Sequence, residues 1–241
     1  MNRTTERTYV FIHGQPGSKD EWCRVVRRMP SSMQGVTYDR PGWGKNPADA
    51  TGIFENAEVL ARMLEVRNDR AVVLVGNSYG AAVAIAAASR ADVKVDGLIL
   101  VSPAVNPEAL VASDHLLALP GVGAFGTYAG LWIYEQLTPS MGWGPRRGVS
   151  FRTEQSLMLI ELAQVSSLIG QLSIPSVMVT GTRDWVVPYE SFVALESDLQ
   201  PVRWMMVEGV GHRVIQRRPD AILSAMVLLE EFTKSISSRN K

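Results

Sequence analysis

The sequence predicts an α/β protein built on a mainly parallel sheet of about six strands flanked by helices. Short apolar runs alternate along the chain with longer segments of helical periodicity, the pattern of strand–helix–strand units. Several of these runs are apolar throughout, as strands covered on both faces are. The 241 residues are 46% hydrophobic and 20% charged. That is the composition of one large globular domain, long enough to bury about 70% or more of its surface without staples.

The strand runs are Tyr9–Ile12, Val36–Tyr38, Ala71–Val75, Val95–Val101, Ser176–Thr180 and Val202–Val207. After the first, Ser18-Lys19-Asp20-Glu21 reads as a capping box, opening a helix with Trp22, Val25, Val26 and Met29 on one face. Cys23 falls near that apolar face and is expected to be inert packing. Ile53 to Val66 forms a second helix with Ala57, Leu60, Ala61 and Leu64 on one side, and Tyr79 to Ala91 a third, made almost entirely of small residues. Tyr189 to Leu199 and Ala221 to Ser235, the latter entered after Pro219, supply two more. Between Val101 and Ser176 lie roughly 70 residues, too many for an ordinary crossover. Residues 103–173 are therefore expected to form an inserted lid, helical from Glu154 to Ile169, with 1–102 and 174–241 as the core of a single domain.

Composition excludes several classes. Lys plus Arg and Asp plus Glu each number 24, for a formal net charge of zero. A balanced chain has no bulk attraction for nucleic acid or anionic lipid. One cysteine makes neither a disulfide framework nor a Cys-based zinc site. The polar N-terminus runs straight into the first strand with no signal-peptide pattern, so a cytoplasmic location is expected. Leu116 to Tyr134 is 19 residues without a charge, near the length of a membrane span, but holds Pro120 and four glycines and reads as a buried lid segment.

The chemistry is carried by Gly76-Asn77-Ser78-Tyr79-Gly80, a G-x-S-x-G between a buried strand and a small-residue helix. That context turns a short motif into a nucleophile elbow, with the serine on a tight, strained turn above a helix N-terminus. A serine hydroxyl needs a base to accept its proton. Of three histidines, His13 ends the first strand and shapes its loop, and His115 lies in the lid. His212 follows the last strand on a glycine-rich loop and is the candidate base. Asp184, on the turn after Val177–Thr180, is the carboxylate that would orient it, since Ser102-Pro103-Ala104 after the preceding strand offers none. The order Ser78, Asp184, His212 fits this architecture. Oxyanion donors would be the backbone N–H groups of Tyr79 and Gln15, with the Gln15 side chain a further donor facing substrate. Asp39 reads as a structural turn walling the site.

Four motifs agree in order: His13-Gly14-x-Pro16-Gly17, Asp39-Arg40-Pro41-Gly42-x-Gly44, Gly76-x-Ser78-x-Gly80, and Gly181-x-x-Asp184 before Gly211-His212. On these the chain, from Tyr9 to about Phe232, resembles the α/β-hydrolase superfamily, in its small, lidded, esterase-like form. The resemblance implies a triad of Ser78, Asp184 and His212 with Gln15 and Tyr79 at the oxyanion, and no metal or organic cofactor. Members usually begin with an antiparallel strand pair. Only about eight residues precede the first strand here, so that pair is expected to be missing.

The lid is aromatic, with Phe125, Tyr128, Trp132 and Trp143 as candidate pocket residues together with Trp43 from the loop after the second strand. Such a roof favours an uncharged, apolar acyl or ring-bearing small-molecule substrate. The first reading is thus a serine hydrolase of a small ester, monomeric or homodimeric. Gly76-Asn77-Ser78 also resembles the carbon–carbon bond hydrolases of aromatic degradation. A lyase or cofactor-free oxygenase on the same scaffold, and a non-catalytic binding protein, are further alternatives. Gly121-x-Gly-x-x-Gly126 lacks the strand and distant acid of a dinucleotide site, and Arg146, Arg147, Arg213, Arg217 and Arg218 read as solvated surface.

Overall fold

A computed structural model describes residues 7–67, 71–110, 145–193 and 198–239. Among them, six strands form one sheet: β1 Thr8–Ile12, β2 Gln34–Thr37, β3 Val72–Asn77, β4 Gly97–Val101, β5 Ser176–Gly181 and β6 Val202–Val207. Their order is β2-β1-β3-β4-β5-β6 and every pairing is parallel. The expected α/β architecture is thus observed. The chain enters at β1, crosses outward to β2, then returns to add β3 on β1's other side. Such a reversal opens a crevice at the carboxyl ends of the strands, where ligands bind in sheets of this kind.

Strand alternation divides the apolar residues between two layers. Val10, Ile12, Leu74, Leu98, Leu100 and Met178 face one cluster, and Tyr9, Phe11, Val73, Val75, Ile99, Val177 and Val179 face the other. The first layer is covered by α2 (Ile53–Arg67), α3 (Tyr79–Ala88) and α4 (Pro145–Ile169), the second by α1 (Cys23–Val26) and α7 (Pro219–Arg239). All ten residues of α3 are buried, which is why its sequence shows no polar face. Two short segments, α5 (Glu190–Val193) and α6 (Val214–Arg217), complete the described helices.

Several elements differ from their sequence-based bounds. The first helix is only a 3-10 turn, Lys19–Trp22, followed by α1. Ser18 does cap it, its hydroxyl accepting from the Asp20 N–H at 3.4 Å, but the Glu21 carboxylate does not return to Ser18 and bonds elsewhere. The predicted capping box is therefore half made. Trp22 and Val25 are buried as expected, whereas Cys23 is exposed, so its packing role is corrected. Of the helix expected from Tyr189, Glu190–Val193 is helical and residues 194–197 lie outside the described residues, while Pro219 is the first residue of α7, where its missing N–H costs nothing. Within the expected lid, helix begins at Pro145 rather than Glu154. Met158, Leu162, Val165 and Ile169 of this helix belong to the same cluster as α2 and α3. Residues 111–144 lie outside the described residues, and with them Phe125, Tyr128, Trp132, Trp143, His115, the Gly121–Gly126 motif and the apolar stretch 116–134. No described helix is long and apolar enough to cross a membrane.

Candidate active site

The register explains which loops meet. β1 and β3 are paired with Ile12 opposite Gly76, so the loop leaving β1 emerges beside the turn leaving β3. That turn brings strand and helix into unusual proximity. A Cβ on Gly76 would lie 2.4 Å from the Gly80 carbonyl oxygen, and one on Gly80 would lie 2.4 Å from that of Ile12. Only glycine fits at either place. The intervening Ser78 has φ 51°, ψ −117°, a conformation that L-residues rarely adopt. It is held there by its N–H donating to the Val101 carbonyl at 2.8 Å and its own carbonyl accepting from Ala81 at 2.9 Å. Strain over-determined by its surroundings in this way marks functional turns.

The loop after β6 lies on the loop after β5. Arg183 N–H donates to Val210 O at 2.9 Å, Gly209 N–H to the Thr182 hydroxyl at 2.9 Å, and a Cβ on Gly181 would be 2.1 Å from the Val210 carbonyl oxygen. Gly209 takes φ 71° to make that path. The result sets His212 against Asp184, with Nδ1 2.9 Å from Oδ2 and 3.2 Å from Oδ1. His212 Nε2 is 3.2 Å from the Ser78 hydroxyl oxygen. The Asp184 side chain is fully buried and that of His212 is 21% exposed. Asp184 Oδ1 also accepts the Val186 and Val187 N–H groups at 3.1 and 3.0 Å. Burial pushes the Asp184 carboxyl up, but the hydrogen bonds and charge of His212 and the Val187 N–H outweigh it and hold the group below its ordinary range. A carboxylate of this kind fixes the imidazole with Nδ1 as donor and Nε2 facing the hydroxyl.

Gln15 and Tyr79 both border the cavity into which Ser78 and His212 open, as does Trp43. The Gln15 side-chain amide donates one N–H to the Phe151 carbonyl of α4 at 3.1 Å, which fixes the side chain at the cavity's edge and leaves its second N–H for another acceptor. Asp39 is the structural turn anticipated, its carboxylate accepting the Lys19 and Lys45 N–H groups at 2.8 and 2.9 Å. His13 is buried, with Nδ1 donating to Gly14 O at 2.9 Å and Nε2 accepting the Arg40 N–H at 3.0 Å. Burial, helped by the nearby Arg40 charge, holds its pKa well below the ordinary value, so it is a neutral shaping residue. Arg146 is tied to Asn46 O and Ala48 O at 2.7 and 2.8 Å, while Arg213, Arg217 and Arg218 are exposed, Arg218 pairing with Asp220.

Two features of the site were not singled out in the sequence. Arg40 and Glu154 form a fully buried ion pair, joined by the Trp43 indole N–H donating to Glu154 at 2.8 Å. Arg40 also donates to the His13 and Gly14 carbonyls at 3.1 and 3.0 Å, and its guanidinium stacks 4.6 Å from the Tyr79 ring centre. Glu21 accepts the Gly14 N–H at 3.1 Å and the Asn77 amide at 3.3 Å. No local pattern announces either, because the partners come from distant segments. The cavity encloses about 580 Å³ and is walled on its apolar side by Trp43, Leu110, Phe151, Met158, Val186 and Val187.

A parallel sheet of this order, with a strained strand–turn–helix at its carboxyl edge, defines an α/β hydrolase. The model of the alpha/beta hydrolase family matches residues 9–225, and the chain belongs to that family. Relatives include Lipase LipV of Mycobacterium tuberculosis, 34% identical over 97 residues, covering 40% of this chain and 37% of LipV. Another is the pimeloyl-(acyl-carrier protein) methyl ester esterase of Neisseria meningitidis, 24% identical over 231 residues, 88% of each protein. In two further short matches the chain spans only 6% and 26% of the relative's length. Among solved structures, the haloalkane dehalogenase DatA of Agrobacterium tumefaciens superposes with a TM-score of 0.76 at 17% identity, covering 96% of this chain and 91% of that one. Likeness at that identity speaks to the fold alone.

Proposed function

We propose that the protein is a serine hydrolase that cleaves a small, largely apolar carboxylic ester or related acyl compound. The observation that carries this reading is the hydrogen-bonded run from Asp184 through His212 to Ser78, ending on a hydroxyl held at positive φ over the N-terminus of α3. In this mechanism His212 Nε2 takes the hydroxyl proton as Ser78 attacks the substrate carbonyl carbon, and Asp184 stabilises the imidazolium that forms. The backbone N–H groups of Tyr79 and Gln15 hold the oxyanion, and α3's N-terminal dipole favours the same charge. Collapse expels the alcohol with the proton from His212. Water, deprotonated by His212, then attacks the acyl-enzyme, and Ser78 leaves with that proton.

The ester assignment is supported by the relatives named as a methyl ester esterase and a lipase. An apolar substrate is supported by the aromatic and aliphatic wall of a cavity sized for a small molecule. Replacing Ser78 by Ala should lower kcat on p-nitrophenyl butyrate by three or more powers of ten, about the loss seen when a triad nucleophile is removed. A fluorophosphonate probe should label Ser78 in the folded wild type. Retention of most activity by Ser78→Ala, or absence of labelling, refutes the reading.

A further inference from the structure

We infer that Glu21 is a positioning residue for this hydrolysis, its carboxylate clamping the Gly14 loop to the Asn77–Ser78 turn so that the Gln15 N–H and the Ser78 hydroxyl keep a fixed separation. This rests on the serine-hydrolase reading above. One carboxylate oxygen, Oε1, takes both bonds, from Gly14 N–H at 3.1 Å and from the Asn77 amide at 3.3 Å. It thereby joins the residue before the proposed oxyanion donor to the residue before the proposed nucleophile. The two segments also touch directly: a Cβ on Gly14 would lie 3.0 Å from Asn77 Nδ2 and 3.4 Å from Ser78 Cβ. Movement of the first loop is therefore felt at the serine. Glu21 borders the same cavity but contacts neither His212 nor the Ser78 hydroxyl, so its effect passes through Gly14 and Asn77.

Glu21 is electrostatically unusual as well. Burial pushes its carboxyl up to about 7 even though the Gly14 N–H, the Asn77 amide and the Arg40 charge all pull the other way. Burial thus disfavours the ionised form, and a carboxyl so displaced on the wall of a cavity is the kind of group found at functional sites. Its charge strengthens both accepted hydrogen bonds, and a proton on it weakens them. The charged and titratable groups around it are Arg40, paired with Glu154, and neutral His13 from the neighbouring loops. Lys19 and Asp20 stand on its own turn, and Arg147, His212 and Arg213 lie on the cavity wall.

The test is kcat and KM for p-nitrophenyl butyrate between pH 5.5 and 8.5 in wild type, Glu21→Gln and Glu21→Ala, with fluorophosphonate labelling of each. Glu21→Ala should lose about 10- to 100-fold in kcat with KM little changed, the scale of a small misplacement of reacting groups. Glu21→Gln, which keeps an acceptor oxygen but cannot ionise, should recover most of this. The ratio of wild-type to Glu21→Gln kcat should climb across pH 7, and taking the ratio cancels any pH dependence the two proteins share. A ratio flat with pH overturns the inference, as does wild-type kcat in a folded Glu21→Ala. If Glu21→Ala does not fold, the Gln ratio decides alone. Should the wild type fail to label at Ser78, the hydrolase reading falls and takes this inference with it. Labelling together with a flat ratio sinks the inference by itself.

Discussion

Asp184 accepts two backbone N–H groups through one oxygen and the His212 imidazole chiefly through the other, so removing its charge reaches both function and fold. Because its native pKa lies below the ordinary 3.8, the stability it contributes is fully present above about pH 4 and is lost as pH falls through the native value. Asp184→Asn should therefore melt below the wild type at pH 7, with the gap narrowing as pH falls below about 4. It should also lower kcat by about 10⁴-fold, the cost of presenting the wrong imidazole tautomer to a serine. Parallel melts from pH 7 down into the acid range and esterase assays check both parts, and equal activity in the two proteins would remove Asp184 from its proposed role. Glu21 behaves oppositely, its carboxyl held high by burial. Two acids bordering one site thus have their pKa values pushed apart, the signature of groups with different tasks.

At the scale of elements, α4 is joined to the loops over the sheet by polar contacts as well as apolar ones. Glu154 holds Arg40 and Trp43, Phe151 O accepts from Gln15, and Arg40 in turn holds the carbonyls of His13 and Gly14. The loop that carries the proposed oxyanion donor is thereby braced from above by α4 and from below by β1. Glu154→Gln would leave the Arg40 charge buried without its counterion. It is expected to cost about 3–5 kcal/mol in urea unfolding, whereas replacing both partners with apolar residues of similar volume should cost much less. A Glu154→Gln protein within about 1 kcal/mol of wild type would show that the brace carries little energy.

Across the whole molecule, the parallel order sends every strand's carboxyl end to one edge, and there the loops from β1, β3, β5 and β6 converge. Apolar layers on both faces keep that edge rigid, while α4 closes over part of it. The cavity of about 580 Å³ beneath α4 is walled by Trp43, Leu110, Phe151, Met158, Val186 and Val187, with the charged Asp20, Glu21, Arg147 and Arg213 also lining it. Along a series of p-nitrophenyl esters, kcat/KM should accordingly rise with acyl length over the first few carbons. Each methylene buried is worth about fourfold. Charged or sugar-like acyl groups turning over best would reject the apolar pocket.

The layers and the chemistry-bearing turns are legible in the order of residues alone. Continuous apolar runs are what strands buried on both faces require, and Gly76 and Gly80 around Ser78 announce a backbone approach that no side chain permits. Chain order also pointed to the loops holding Asp184 and His212. How groups far apart in the chain share their hydrogen bonds emerges only in the assembled fold. Glu21 looked like half of a capping box until Gly14 and Asn77 claimed its carboxylate, and Arg40 met Glu154 across 114 positions. Periodicity and turn chemistry are local and leave their mark within a few residues. A buried polar group bonds whichever partner the packed layers bring within about 3 Å, and that choice exists only once the sheet is assembled.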